Sequence, residues 1–437
     1  WIILDTAFVA VYGTQSPEIR HYINGTSSGA RGKDNNIPVI GMNRFVTPFY
    51  HAIIHGTAIV TNELDEGNQF AKGHPAAHVF PPAFIAAIEN DVSGKEFIRA
   101  FVIGYEVSAR LAYASNMNDD MHPHGTWGAI GGTVAAGILQ GKTKKEIQEA
   151  ALIAASLPLS TSWQAAVTGM TVRNLYTGIS CWLAYQSLNF QALGFQSSTT
   201  VVEHLWGTIM SESLHADLFL KDLWSPPLLE KNYFKLYPSC RFTHSAIGAL
   251  LKLLDEEKIE ITQIETVDVE TYSLAARLDG PAPSNRLSAK FSIPYVLSVL
   301  LHGESLFSAD KESVLSDSSI HQLAKKIHVM EDQQMTALLP EKRPARVTIK
   351  LLDAMKRTSY IDDASGGYNK PLPKDELIKK FKNMLPDIKD QNLQQTINAT
   401  AELEKQYFRE WALNFTEEMG KSEGSKGESA KTKEQFT

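Results

Sequence analysis

The strongest constraint on this chain is a ten-residue run of mostly small side chains, Gly128-Ala-Ile-Gly-Gly-Thr-Val-Ala-Ala-Gly137. In a helix, each glycine costs about 1 kcal/mol relative to alanine. Such a helix persists only where close packing of neighbouring backbones compensates. Helix starts lie on either side of it. Ser93-Gly-Lys-Glu96 and Thr143-Lys-Lys-Glu146 both read as capping boxes, in which side chains satisfy the orphan donors of a first helical turn. A long amphipathic helix is predicted over 93–115 and another over 176–193, ended by Gly194. The opening Trp1-Ile-Ile-Leu-Asp-Thr6 reads as helix interior.

The texture changes near residue 230. Ile264 to Tyr272 and Arg346 to Leu352 alternate like strands, with Val267 and Val269, then Val347, Ile349 and Leu351, on one face. Gly366-Gly367 signals a turn, and the helical pattern returns from Lys374 to about residue 417. The fold class expected is mainly α: a large all-helical domain interrupted by a smaller α+β domain. The boundaries are 1–231 and 367–420 for the helical domain and 232–366 for the insertion. The last stretch, 421–437, is rich in Lys, Ser, Gly and Glu and is expected to be disordered.

A chain of 437 residues buries a large core. Its net charge of −7 lacks the basic excess of a nucleic-acid binder. No apolar run reaches the roughly 18 residues of a membrane span. Two cysteines, Cys181 and Cys240, are too few for a four-thiolate zinc site or a thiolate-held iron–sulfur cluster. Chemistry on citrate-like acids would therefore fall to acid–base side chains. The expected location is cytoplasmic. The first residue is Trp1 rather than Met, which leaves organelle targeting open.

The histidines cluster. Asn62-Glu-Leu-Asp-Glu-Gly-Asn68 leads into Gly73-His-Pro-Ala-Ala-His78, and Met121-His-Pro-His-Gly-Thr126 precedes the small-residue helix. Proline after His74 and His122 puts each in extended or turn backbone just before a helix, where the helix N-terminus favours anions. Each histidine alone also fits a loop residue capping a helix. A zinc reading of His74, His78, Asp65 and Glu66 is weakened by Pro75 and by the lack of an H-E-x-x-H pattern. Lys235-Leu-Tyr-Pro-Ser-Cys-Arg-Phe-Thr-His244 places cations at the apparent domain boundary, a common ligand location. The bland alternative for Lys235 is a solvated surface charge. Arg173 is a lone base in an apolar region, and Cys240 fits a small structural residue better than a nucleophile.

In their order along the chain, these motifs resemble the MmgE/PrpD family, whose activities include 2-methylcitrate dehydratase, cis-aconitate decarboxylase and iminodisuccinate epimerase. The resemblance runs through Ile3-Leu-Asp-Thr6, the acidic stretch with His74-Pro and His78, Gly104-Tyr-Glu-Val107, His122-Pro-His-Gly-Thr126 and Arg173-Asn-Leu-Tyr176. It continues through Lys235-Leu-Tyr-Pro238, Lys290-Phe-Ser-Ile-Pro-Tyr295, Pro371-Leu-Pro373 and Lys380-Phe381. It implies an α+β lid over an all-helical domain, a homodimer, an active site between the domains, and neither metal nor organic cofactor. By motif position it places His78, His122 and Asp65 as catalytic residues and Arg173, Lys235, His74 and Tyr295 as substrate contacts, Tyr295 being the weakest candidate. Two departures fall on substrate contacts. Asp65-Glu-Gly-Asn68 stands where the decarboxylase pattern has Asp-Phe-Asp-Asp-Thr, and Arg173 stands where that pattern has lysine.

The function expected is a metal-free lyase that removes water or carbon dioxide from a small di- or tricarboxylate. An epimerase using the same proton abstraction and an inactive helical binding protein are the alternatives. Histidine suits the proton step because it titrates near neutrality. The two histidine clusters are expected to converge in one cleft, with His78 and His122 lining the pocket that contains Asp65. Lys235→Ala is expected to slow turnover with little change in stability.

Overall fold

The structure, a computed structural model, describes residues 1–26, 36–223 and 225–430, apart from the side chains of 421–430. The chain is mainly α, with only small sheets. The small-residue run forms the helix Gly128–Leu139. It lies against four others, Pro75–Asn90, Gly94–Ala114, Lys144–Ala155 and Val172–Ala192. The approach is as close as the composition requires. A Cβ on Gly131 would fall on the Gly104 carbonyl and the Ser108 hydroxyl, and one on Gly128 would strike the His78 ring. Thr133 ties this helix across the bundle by donating to the Ala184 carbonyl at 2.9 Å.

Both capping boxes form, at Ser93–Glu96 and Thr143–Glu146. The helix expected from residue 176 begins earlier, at Val172, and ends just before Gly194, whose φ is +91°. Helices Ile2–Thr14 and Pro48–Thr61 pack together, and Lys374–Met384 returns to lie on the first of them. Phe8 and Phe381 stack there at 4.3 Å.

One four-stranded sheet carries the α+β part, in the order Lys356–Ile361, Ala345–Leu351, Ile264–Thr271, Ile327–Glu331. The first three strands are antiparallel neighbours, and the last pair is parallel. Register sets Val267 opposite Ile349 and Val269 opposite Val347, and all four are fully buried. One apolar core joins the first helices with the returning segment from Leu377 to Met419. A second gathers residues from Cys240 to Ile349, with Ala166 reaching in from the helical side. The final helix runs Phe408–Ala430. Of the tail expected to lack order, residues 431–437 lie outside the described residues. Among the described residues, no helix is long and apolar enough to cross a membrane.

Candidate active site

The helix Pro48–Thr61 ends at Asn62, and the chain turns through Glu63 in the left-handed region, at φ +53°. The turn leads into Gly67–Asn68, which pairs antiparallel with Asn232–Tyr233. Asn68 fastens both sides: its Oδ1 accepts from the backbone of Phe70 and Ala71, and its Nδ2 donates to the Leu228 carbonyl at 2.6 Å. This pairing delivers Lys235 to the acidic turn. Its ammonium donates to Glu63 Oε2 at 2.9 Å and to Asp65 Oδ1 at 3.1 Å, using two of its three hydrogens. Arg173 Nη1 lies 2.6 Å from Glu63 Oε1, and His74 Nδ1 lies 2.8 Å from Asp65 Oδ2. Lys235 has no solvent exposure, so it is not a solvated boundary charge.

The second histidine motif turns at Gly125, whose φ is +84°, and stacks its rings into the same place. His124 lies between His74 and His122, with ring centroids at 5.1 and 4.7 Å and near-parallel planes. His78 Nε2 is 3.2 Å from His124 Nδ1, while its Nδ1 meets the Ser180 hydroxyl at 3.1 Å. Thr177 Oγ1 is 2.8 Å from the same His124 nitrogen. Arg173 Nε donates to His122 Nε2, and the His124 amide donates to His122 Nδ1, both at 3.1 Å. A neutral imidazole accepts at only one nitrogen, so one of these two contacts goes unanswered. His124 Nε2 is buried without a partner.

The charges follow from the packing. Burial alone would raise Glu63 and Asp65. Arg173 and Lys235 overcome it at Glu63, His74 and Lys235 overcome it at Asp65, and both stay below the ordinary carboxylate range. Burial would strip the proton from Lys235, but Asp65 and Glu63 reverse that and hold it as the ammonium. Burial takes His78 down to about 3, and burial followed by Arg173 takes His122 and His124 well below their usual value. Glu66 behaves oppositely to its neighbour: burial pushes it up to about 8, although Tyr105 donates to it at 2.5 Å. Burial also lifts Cys240 to about 12, which fits a structural thiol.

The structure thus brings together Asp65, His74, His78, His122, Arg173 and Lys235. Tyr295 is not among them. It lies in the core of the α+β part, where its hydroxyl donates to the Ala309 carbonyl at 2.7 Å. Glu63, His124 and Tyr105 join the cluster without having been named as site residues, and Glu66, named only in the zinc reading, joins it too. His124 carried a signal in the His-Pro-His spacing, whereas Glu63 looks in sequence like any exposed acid. Asp65, His74 and His124 bring ligand atoms within 4.8 Å of one another, a donor set that suits a divalent cation by type. Lys235 on the same carboxylate and Arg173 on His122 set two fixed positive charges against a cation there.

A cavity of about 100 Å³ is bordered by Trp127, Trp163, Pro123, Phe242 and Leu274, but Asp65, His78 and His122, expected to line one pocket, lie behind this wall and not in its lining. Trp163 also stacks on His122 at 4.9 Å. Buried ammonium and guanidinium groups, an ionised carboxylate paired with imidazole, and several neutral imidazoles can together hold a carboxylate and pass a proton.

Two family models cover most of the chain. The MmgE/PrpD N-terminal domain matches residues 1–217, and the MmgE/PrpD C-terminal domain matches 237–405. Among curated proteins, the chain is similar to the cis-aconitate decarboxylase of Aspergillus terreus, at 22% identity over 428 residues, covering 90% of this chain and 85% of the relative. It is 25% identical to the Mus musculus cis-aconitate decarboxylase, covering 87% and 80%, and 24% identical to the Homo sapiens one, covering 87% and 81%. With matches to both halves of the family, on the helical frame and on the part that carries the four-stranded sheet, the chain belongs to the MmgE/PrpD family.

Proposed function

We propose that this protein is a lyase that removes carbon dioxide or water from a small di- or tricarboxylate. The observation that carries the reading is the Lys235 ammonium held between Glu63 and Asp65, with the His74 imidazole on the same Asp65 carboxylate. Similarity to proteins named cis-aconitate decarboxylases supports a lyase over other reaction types.

In this reading, Lys235 and Arg173 attract the substrate carboxylates, and the third ammonium hydrogen of Lys235 is the one offered. His74 Nδ1–H donates to the Glu66 carbonyl at 2.8 Å with the Asp65 carboxylate beside it, which fixes the tautomer and leaves Nε2 to take or give a proton. In decarboxylation, the C–C bond to a carboxylate breaks, carbon dioxide leaves, and the electron pair left on carbon takes up one proton. In dehydration, a base removes a proton beside a carboxylate and an acid protonates the departing hydroxide. Both routes need one imidazole at the reacting carbon. His74 answers that need better than His78, which burial has driven to about 3 and which lies against Gly128 and Ser180.

The test is incubation with cis-aconitate and with 2-methylcitrate, followed by mass spectrometry of the products. Loss of carbon dioxide or water from either acid supports the reading. An unchanged formula with altered stereochemistry, in a parallel incubation with iminodisuccinate, would replace it with an epimerase.

A further inference from the structure

The motifs Ile3-Leu-Asp-Thr6 and Lys380-Phe381 supply no residue of the cluster described above, yet in the fold they meet. The Lys380 ammonium lies 2.5 Å from Asp5 Oδ1 and donates to the Leu64 carbonyl at 2.9 Å. Neither side chain has any exposure. Burial pushes Asp5 up and Lys380 down, and each is countered by the other. Desolvation offsets most of the attraction in such a pair, so stability alone is a poor reason for it.

The third partner supplies a better reason. Leu64 is the residue between Glu63 and Asp65, and its carbonyl belongs to the peptide that joins it to Asp65. Glu63 holds a left-handed backbone that residues with side chains adopt reluctantly. The turn carrying both carboxylates therefore needs an outside anchor. Phe8 stacked on Phe381 fixes the two helices that provide it.

We propose that Asp5 and Lys380 are positioning residues: they clamp the Leu64 carbonyl and so hold Glu63 and Asp65 as a rigid fork for Lys235, Arg173 and His74. The effect on turnover rests on the lyase reading above; the clamp itself does not. Release of Leu64 lets the peptide rotate and moves both carboxylates, and a misplacement of about 1 Å can cost about a hundred-fold in rate.

The test uses the full chain. Asp5→Leu combined with Lys380→Met removes both charges, with Met matching Lys in length, so no buried charge is left unpaired and the fold is expected to survive. The readouts are backbone amide exchange across residues 62–68, thermal melting, and kcat and KM on cis-aconitate. The double variant is expected to exchange at least about ten-fold faster across 62–68, with the Gly128–Leu139 helix unchanged, and to lose about ten- to a hundred-fold in kcat. Asp5→Asn keeps an acceptor beside Lys380 but removes its counter-charge, so exchange across 62–68 and kcat should recover part of the way relative to the double variant, with a lower melting temperature than wild type. Wild-type exchange across 62–68 in the double variant would overturn the clamp. So would faster exchange spread evenly over the chain, with kcat simply following the folded fraction. If the unmodified chain turns over no acid, the lyase reading fails and the exchange comparison still decides the clamp.

Discussion

Lys235 is a cation with no access to water, held by two carboxylates that have almost none either. Lys235→Ala should lower kcat/KM on the acid identified by about ten- to a hundred-fold, the worth of a charge-assisted hydrogen bond. Its burial also revises the expectation of unchanged stability. Glu63 would keep only Arg173 and Asp65 only His74, and breaking a buried pair from one side costs about 3–5 kcal/mol. Denaturant titration checks this, and an unchanged midpoint would contradict the burial. Glu66 gives a pH signature. Below its ordinary value of 4.5 the carboxyl is protonated folded and unfolded, whereas between 4.5 and about 8 only the folded state keeps the proton. The folded state binds more protons across that window, so this group makes stability fall as pH rises. Glu66→Gln should therefore flatten the decline of Tm between about pH 5 and about pH 8, measured against the wild type.

Among the elements, the small-residue helix carries the most local constraint. Gly128→Ala drives a methyl into the His78 ring. Overpacking of this kind costs about 1–3 kcal/mol, read as a lower Tm, and should disturb the His78–His124 contact seen in imidazole NMR. This helix, both capping boxes and the strands Ile264–Thr271 and Ala345–Leu351 were legible because burial leaves a period in sequence. The strands Ile327–Glu331 and Lys356–Ile361 were not. They form the two edges of the sheet and bury little, so no alternation marks them. The same limit applies in the cluster. His74 and His122 are flagged by the prolines after them, but Glu63 becomes distinctive only when Arg173 and Lys235 arrive from distant segments.

At the scale of the molecule, three buried acids within the first 65 residues, Asp5, Glu63 and Asp65, are answered by Lys380, Arg173 and Lys235. A fragment ending at residue 231 lacks Lys235 and Lys380, and it should fail to give a cooperative melt by circular dichroism, because unpaired buried carboxylates oppose its packing. A sharp transition in that fragment would show that the acids tolerate burial alone. The arrangement also bears on how the chain is made. The acids leave the ribosome early, and the last of their counter-ions follows on the order of tens of seconds later at ordinary synthesis rates. Until Lys380 emerges, the acidic turn has reason to stay hydrated rather than close. The nascent helices can pack around their small residues meanwhile, but the site itself assembles last. A prematurely terminated chain would then keep its carboxylates open to water, visible to the cell's proteases as unfinished.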